Sequence, residues 1–105
     1  MPSAICFIEK ANNIRQIDRE AHRYESGNWV VAEEKAASLV GRRIYFLETQ
    51  AGESFYGGTI ESFRVLPDNH PTAPKRVVFT FIADQAGRGF RPGPDGWSTE
   101  QKTLP

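Results

Sequence analysis

Two clusters of residues have the types and spacing to hold a flat ligand. Asn28-Trp29 follows Ser26-Gly27, and Ser54-Phe55-Tyr56-Gly57-Gly58 comes later, ahead of an apolar stretch. Indole and phenyl faces stack on planar groups, and Asn28 and Ser54 can hydrogen-bond a polar edge. The bare backbone of Gly57-Gly58 leaves room and unblocked amides beside an aromatic wall. Together these residues fit recognition of a nucleobase. The same residues also admit a structural reading, in which Trp29 plugs one end of a small barrel and the glycines mark a bulge or a close backbone approach. Gly87-Arg88-Gly89-Phe90-Arg91 adds arginines around a Gly-Phe step. Their guanidinium groups either stack on bases or belong to a solvated loop.

Other chemistries are thinly represented. Cys6 lies alone in an apolar run and reads as a small hydrophobe. His22 and His70 lack ligand-spaced partners, and there is no CxxC, HxxxH or acidic calcium loop, so no metal and no cofactor are expected. No Gly-Lys-Ser/Thr closes a phosphate-binding loop. No catalytic residue is assigned, and the chain reads as a non-enzyme. A weaker alternative is a small hydrolase or nuclease using His70, which otherwise belongs to turn chemistry with Asp68 and Asn69.

Thirteen Lys and Arg balance thirteen Asp and Glu in 105 residues. That excludes gripping a nucleic-acid backbone by overall charge, because each neutralised phosphate needs a facing cation. A local patch remains open: Arg42-Arg43 and Lys75-Arg76, at two strand ends, form either a rim contacting a phosphate or two, or ordinary solvated ends. With 39% hydrophobic residues the chain is globular in composition. No apolar run approaches the ~20 residues a bilayer requires. The opening residues lack signal-peptide character, and one cysteine allows no internal disulfide. The expectation is a soluble cytoplasmic protein without a membrane partner.

The elements that must position these residues follow from periodicity. Ala4–Ile8 predicts a strand buried on both faces. Asn13 with Gln16 suggests a capping box, and Ile14, Ile17, Ala21 and Tyr24 recur at helical spacing until Ser26-Gly27-Asn28. His22 falls on the solvated face of that helix. Trp29-Val30-Val31 is a strand stub, and Ala32–Val40 a second short helix with Glu33 and Glu34 in its first turn. Arg42–Glu48, Thr59–Leu66 and Arg76–Ala83 are strands, with Ile60 and Leu66 on one face and Phe63 and Val65 on the other. Pro67–Pro74 is a loop. The expected architecture is α+β: a small, strongly curved antiparallel sheet or partial β-barrel with two short helices. Residues 1–83 form the core of the domain, and the Gly/Pro-rich segment 84–105 packs on it or extends from it.

This order of segments resembles the PUA-like superfamily, particularly its EVE branch and the related YTH domains. The motifs are Ile5-Cys6-Phe7-Ile8, Gly27-Asn28-Trp29-Val30-Val31, Leu39-Val40-Gly41-Arg42-Arg43-Ile44-Tyr45-Phe46 and Phe55-Tyr56-Gly57-Gly58-Thr59-Ile60, spanning residues 4–83. Arg42 stands where the family has an acidic residue. The resemblance implies a PUA-like pseudobarrel that binds a modified base, flipped from DNA or exposed in RNA, in a pocket walled by aromatics. It implies that Trp29 stacks on the base, that Asn28 or Ser54 bonds its edge, and that Gly57-Gly58 line the floor. Trp97 would supply a second wall or anchor the tail. A second functional reading is an accessory factor that docks on a protein partner through exposed aromatics near Phe90 and Trp97.

Overall fold

The computed structural model describes residues 2–10, 14–66, 76–98 and 100–105, without the side chain of Asn28. The elements are β1 (Ala4–Ile8), β2 (Ile14–Asp18), β3 (Arg23–Val30), α1 (Glu33–Ser38), β4 (Arg43–Leu47), β5 (Tyr56–Val65), β6 (Arg76–Ala83), a 3-10 turn at Gln85–Gly87, and β7 (Gln101–Leu104). All seven strands form one sheet in the order β2-β3-β6-β5-β4-β1-β7. Because β1 and β4 run parallel, the sheet is mixed. It is not closed, and β2 and β7 are its ends. The α+β expectation, with an antiparallel barrel and two helices, is therefore corrected to a mostly β fold with one short helix. The Asn13 cap and the Pro67–Pro74 loop lie outside the described residues.

The central strands show why their sequences are continuously apolar. Ile5 and Phe7 of β1 and Ile44 and Phe46 of β4 enter the main core. Ala4, Cys6, Tyr45 and Leu47, from the opposite face of the same strands, build a second cluster. A parallel pair buried on both faces has no polar face to alternate with. The second cluster is covered by Phe90, Trp97 and Leu104. The 84–105 segment is thus part of the sheet's own packing. Phe90 stacks on Tyr45 at 4.1 Å between ring centres, and β7 pairs antiparallel with β1.

The segment expected as the first helix is instead the β2–β3 hairpin. Asp18 Oδ1 accepts the N–H groups of Glu20 and Ala21 at 3.1 and 3.3 Å, which turns the chain sharply. His22 then takes φ 53°, the left-handed region, and β3 departs. A register shift between Ser26 and Trp29 adds one residue to β3 and exchanges its faces. Tyr24 and Trp29 consequently reach the same core despite opposite parity. A second shift, between Ile60 and Ser62 in β5, places Ile60, Phe63 and Val65 together on the core side, where strict alternation predicted opposite faces.

Phe7 on β1 stacks on Trp29 of β3 at 4.1 Å. Those strands are four places apart in the sheet, so the sheet curls strongly. The expected second helix survives as α1, and Gly41 past its end (φ 85°) sends its N–H to Ile60 O at 2.8 Å.

Cys6 has no exposed surface, and burial pushes its thiol up to about 12. Reaction needs the thiolate. The native protein is therefore expected to release no colour from a disulfide reagent at pH 8, and one equivalent after addition of denaturant.

Candidate functional site

An open cleft of about 490 Å³ lies where β6 ends, lined by His22, Tyr56, Ala83, Asp84, Gln85 and Arg88. That is within the size range of small-ligand sites. Three glycines set its shape. A Cβ on Gly57 would lie 2.4 Å from Ile44 O, one on Gly58 1.9 Å from Ile82 O, and one on Gly87 2.2 Å from Gly57 O. Backbone therefore rests directly on backbone, and the 3-10 turn sits down onto β5. Asp84 donates its N–H to Gly57 O at 3.2 Å, and Ser54 Oγ donates to Gly87 O at 2.6 Å. Phe90 N–H returns a bond to Ser54 Oγ at 3.0 Å. The loop carrying Gln85 and Arg88 is thereby pinned beside Tyr56.

On this frame the Arg88 guanidinium carbon stands 5.4 Å from the centre of the Tyr56 ring, within cation–π reach. The Tyr24 ring meets Tyr56 edge-on at 5.2 Å and fixes its orientation. The second charged group of the cleft, Asp84, is already answered. Arg43 holds it with two bonds of 2.7 Å, keeping its carboxyl below the usual range. Burial, and then the hydrogen bond with Tyr24, push the Tyr56 phenol up to about 12. A tyrosine that holds its proton more firmly when folded stabilises the fold fully below its unfolded value near 10, and loses that contribution as pH rises through 12. The thermal midpoint should therefore fall steeply between pH 10 and 12. Tyr56→Phe should flatten that fall, as a pH series of melting curves would show.

The residues singled out from sequence are distributed differently from the expectation. Trp29 is not a pocket wall. Its ring is 8% exposed, packs in the main core against Phe7, and donates Nε1–H to Ser26 Oγ at 2.8 Å. The β3 bulge turned it inward. Asn28 sits in that bulge, and its side chain lies outside the described residues. Ser54 is buried as the pin just described, not aimed at a ligand edge, and Gly57-Gly58 are a close backbone approach. Phe55 is 40% exposed next to the cleft residue Tyr56. Trp97 packs on the second cluster and donates to Gly93 O at 2.8 Å, on the other face of β1 from Trp29. The two indoles cannot face one ligand.

The proposed basic rim does not assemble either. Arg43 is engaged by Asp84, Thr59 and Tyr45. It pairs across β5 with the Ile82 end of β6, whereas Arg76 starts that strand, roughly 20 Å away at the rise of an extended chain. Arg42 is exposed, and Lys75 and His70 lie outside the described residues. Of the residues named from sequence, Tyr56 and Arg88 are brought together. His22 and Gln85 were missed as site residues. The Asp18-x-x-x-His22 turn was legible only after the hairpin was recognised.

Among the described residues, no three or more His, Cys, Asp or Glu are grouped to hold a metal ion. No helix among them is long and apolar enough to cross a membrane. Comparison with protein-family models, with curated proteins and with solved structures finds no match to this chain.

Proposed function

We propose that the chain is a non-enzymatic binding module that holds a nucleobase, free in a nucleotide or carried on a nucleic-acid strand, in the Tyr56–Arg88 cleft. The observation that carries this reading is the Arg88 guanidinium poised over the Tyr56 ring at the mouth of an open cavity. A planar cation held over an aromatic ring presents its outer face to another flat group, and bases stack on arginine as readily as on tyrosine. The Gln85 amide supplies a donor and an acceptor for a base edge. The ligand class is the one implied by the PUA-like resemblance, but the wall differs, with Tyr56 and Arg88 in the role that resemblance gives to Trp29. Phe90 and Trp97, the aromatics behind the docking alternative, are partly buried against the second cluster.

Removing one base–side-chain stack costs about 1–3 kcal/mol, so Arg88→Ala should weaken nucleotide binding roughly tenfold. Arg88 is exposed, and the melting temperature should stay put. Titrating the labelled protein with nucleosides and nucleotides, while following amide shifts over residues 83–88, measures both. The reading fails if none of these compounds shifts those signals at millimolar concentration.

A further inference from the structure

We infer that the cleft takes a nucleoside monophosphate, with Arg88 and His22 on either side of its single phosphate; this rests on the base-binding reading above. Three observations lead there. Arg15, Arg23, Arg43, Arg64 and Arg91 each face a carboxylate within 4.0 Å, whereas among the described residues Arg88, like Arg19 and Arg42, faces none, and of these three Arg88 alone lines the cleft. The cleft's own carboxylate, Asp84, is held by Arg43 and so leaves Arg88 available to an outside anion.

The second observation is the backbone of His22. It is the one non-glycine with positive φ among the described residues. It is fixed there from both sides, its N–H donating to Arg19 O at 3.3 Å and its C=O accepting from Ala83 N–H at 2.9 Å. A glycine would adopt that conformation without strain, yet the position carries an imidazole that lines the cleft. Strain retained at a cavity wall is a mark of a side chain kept for what it contacts.

The third is the count of available charge. A guanidinium forks onto two phosphate oxygens, and an imidazole N–H reaches a third. That suffices for one phosphomonoester. A strand would need cations along its path; the neighbouring Arg23 and Arg43 are engaged by Asp18, Glu61 and Asp84, and the exposed Arg19 and Arg42 do not line the cleft.

The test uses the full chain at neutral pH, with calorimetric titration of the four nucleoside monophosphates, their nucleosides, inorganic phosphate, and a single-stranded octanucleotide without terminal phosphates. At least one monophosphate should bind about tenfold or more tightly than its nucleoside, as expected for a charge-assisted contact. Arg88→Met should erase that difference. His22→Gly should reduce it several-fold while the melting temperature holds or rises, which separates a ligand contact from a structural role. Equal binding of nucleoside and monophosphate overturns the inference and leaves the base-binding reading standing. Tighter binding of the octanucleotide overturns it in favour of a strand. Unchanged affinities in His22→Gly remove His22 from the site. If no compound carrying a base binds, both readings fall.

Discussion

Trp29→Ala is expected to be among the most destabilising single changes in the chain, at about 3–5 kcal/mol, the range for large aromatic truncations in a packed core. The indole lies against Phe7, and Phe7 in turn touches Phe46 and Phe79. Truncation opens a void where β1 and β3 meet across the curl of the sheet. It also strands the Ser26 hydroxyl, buried completely and bonded to the indole Nε1–H. Small domains have only about 5–15 kcal/mol in hand, so a large share of the folded population is at risk. Denaturant unfolding of the variant measures the loss. Trp29→Phe keeps a ring on Phe7 but also leaves Ser26 without its donor, so it should lose less stability than Trp29→Ala and retain all of the ligand affinity. A normal melting curve for Trp29→Ala together with abolished binding would show the indole to be a ligand wall after all.

Gly58→Ala should produce a comparable loss by the opposite route. The added methyl would sit 1.9 Å from Ile82 O and 2.8 Å from Ala83 Cα, both backbone atoms in a strand that cannot step aside cheaply. Overpacking a core costs about 1–3 kcal/mol where side chains can yield. Here β6 itself must move, in the middle of the sheet, so a loss of about 3 kcal/mol or more is expected. Gly41→Ala is the contrasting control. No atom lies within 4 Å of its would-be Cβ, and only its φ of 85° is strained. The two variants, compared by chemical denaturation, should separate by a wide margin. Equal, small effects would mean that β5 and β6 do not approach as closely as described.

The parts of this fold legible in sequence are those where local chemistry and tertiary environment agree. β1, β4 and β6 are apolar runs because both faces, or one face and most of the other, are covered. α1 opens on Glu33 and Glu34 and stops short of Gly41. The hairpin failed because Ile14, Ile17, Ala21 and Tyr24 imitate a helical stripe while the period of two is broken. The turn at Asp18–His22 interrupts it first, and the bulge near Gly27 inverts it again. That bulge also sets which way Trp29 points, since one added residue decides whether a side chain faces the core or the opposite face. β7 is short and polar, and only its pairing with β1 makes Gln101–Leu104 a strand.

The site was half legible. Tyr56, and Arg88 as a stacking arginine, each stood out by residue type, and Gly57-Gly58 signalled close approach. What joins them is the seating of Gly87 on Gly57 from thirty positions away in the chain, a contact with no local signature. His22 gained its place only through a turn that helical spacing concealed.

The central claim is that a base stacks on the outer face of Arg88, in the cleft that Tyr56 backs. Intermolecular nuclear Overhauser effects in the protein saturated with its best-binding nucleoside monophosphate test that contact directly. The prediction is cross-peaks from the base protons to the Arg88 side chain and to the cleft residue Gln85. Cross-peaks to other parts of the surface, with none to Arg88, would contradict it.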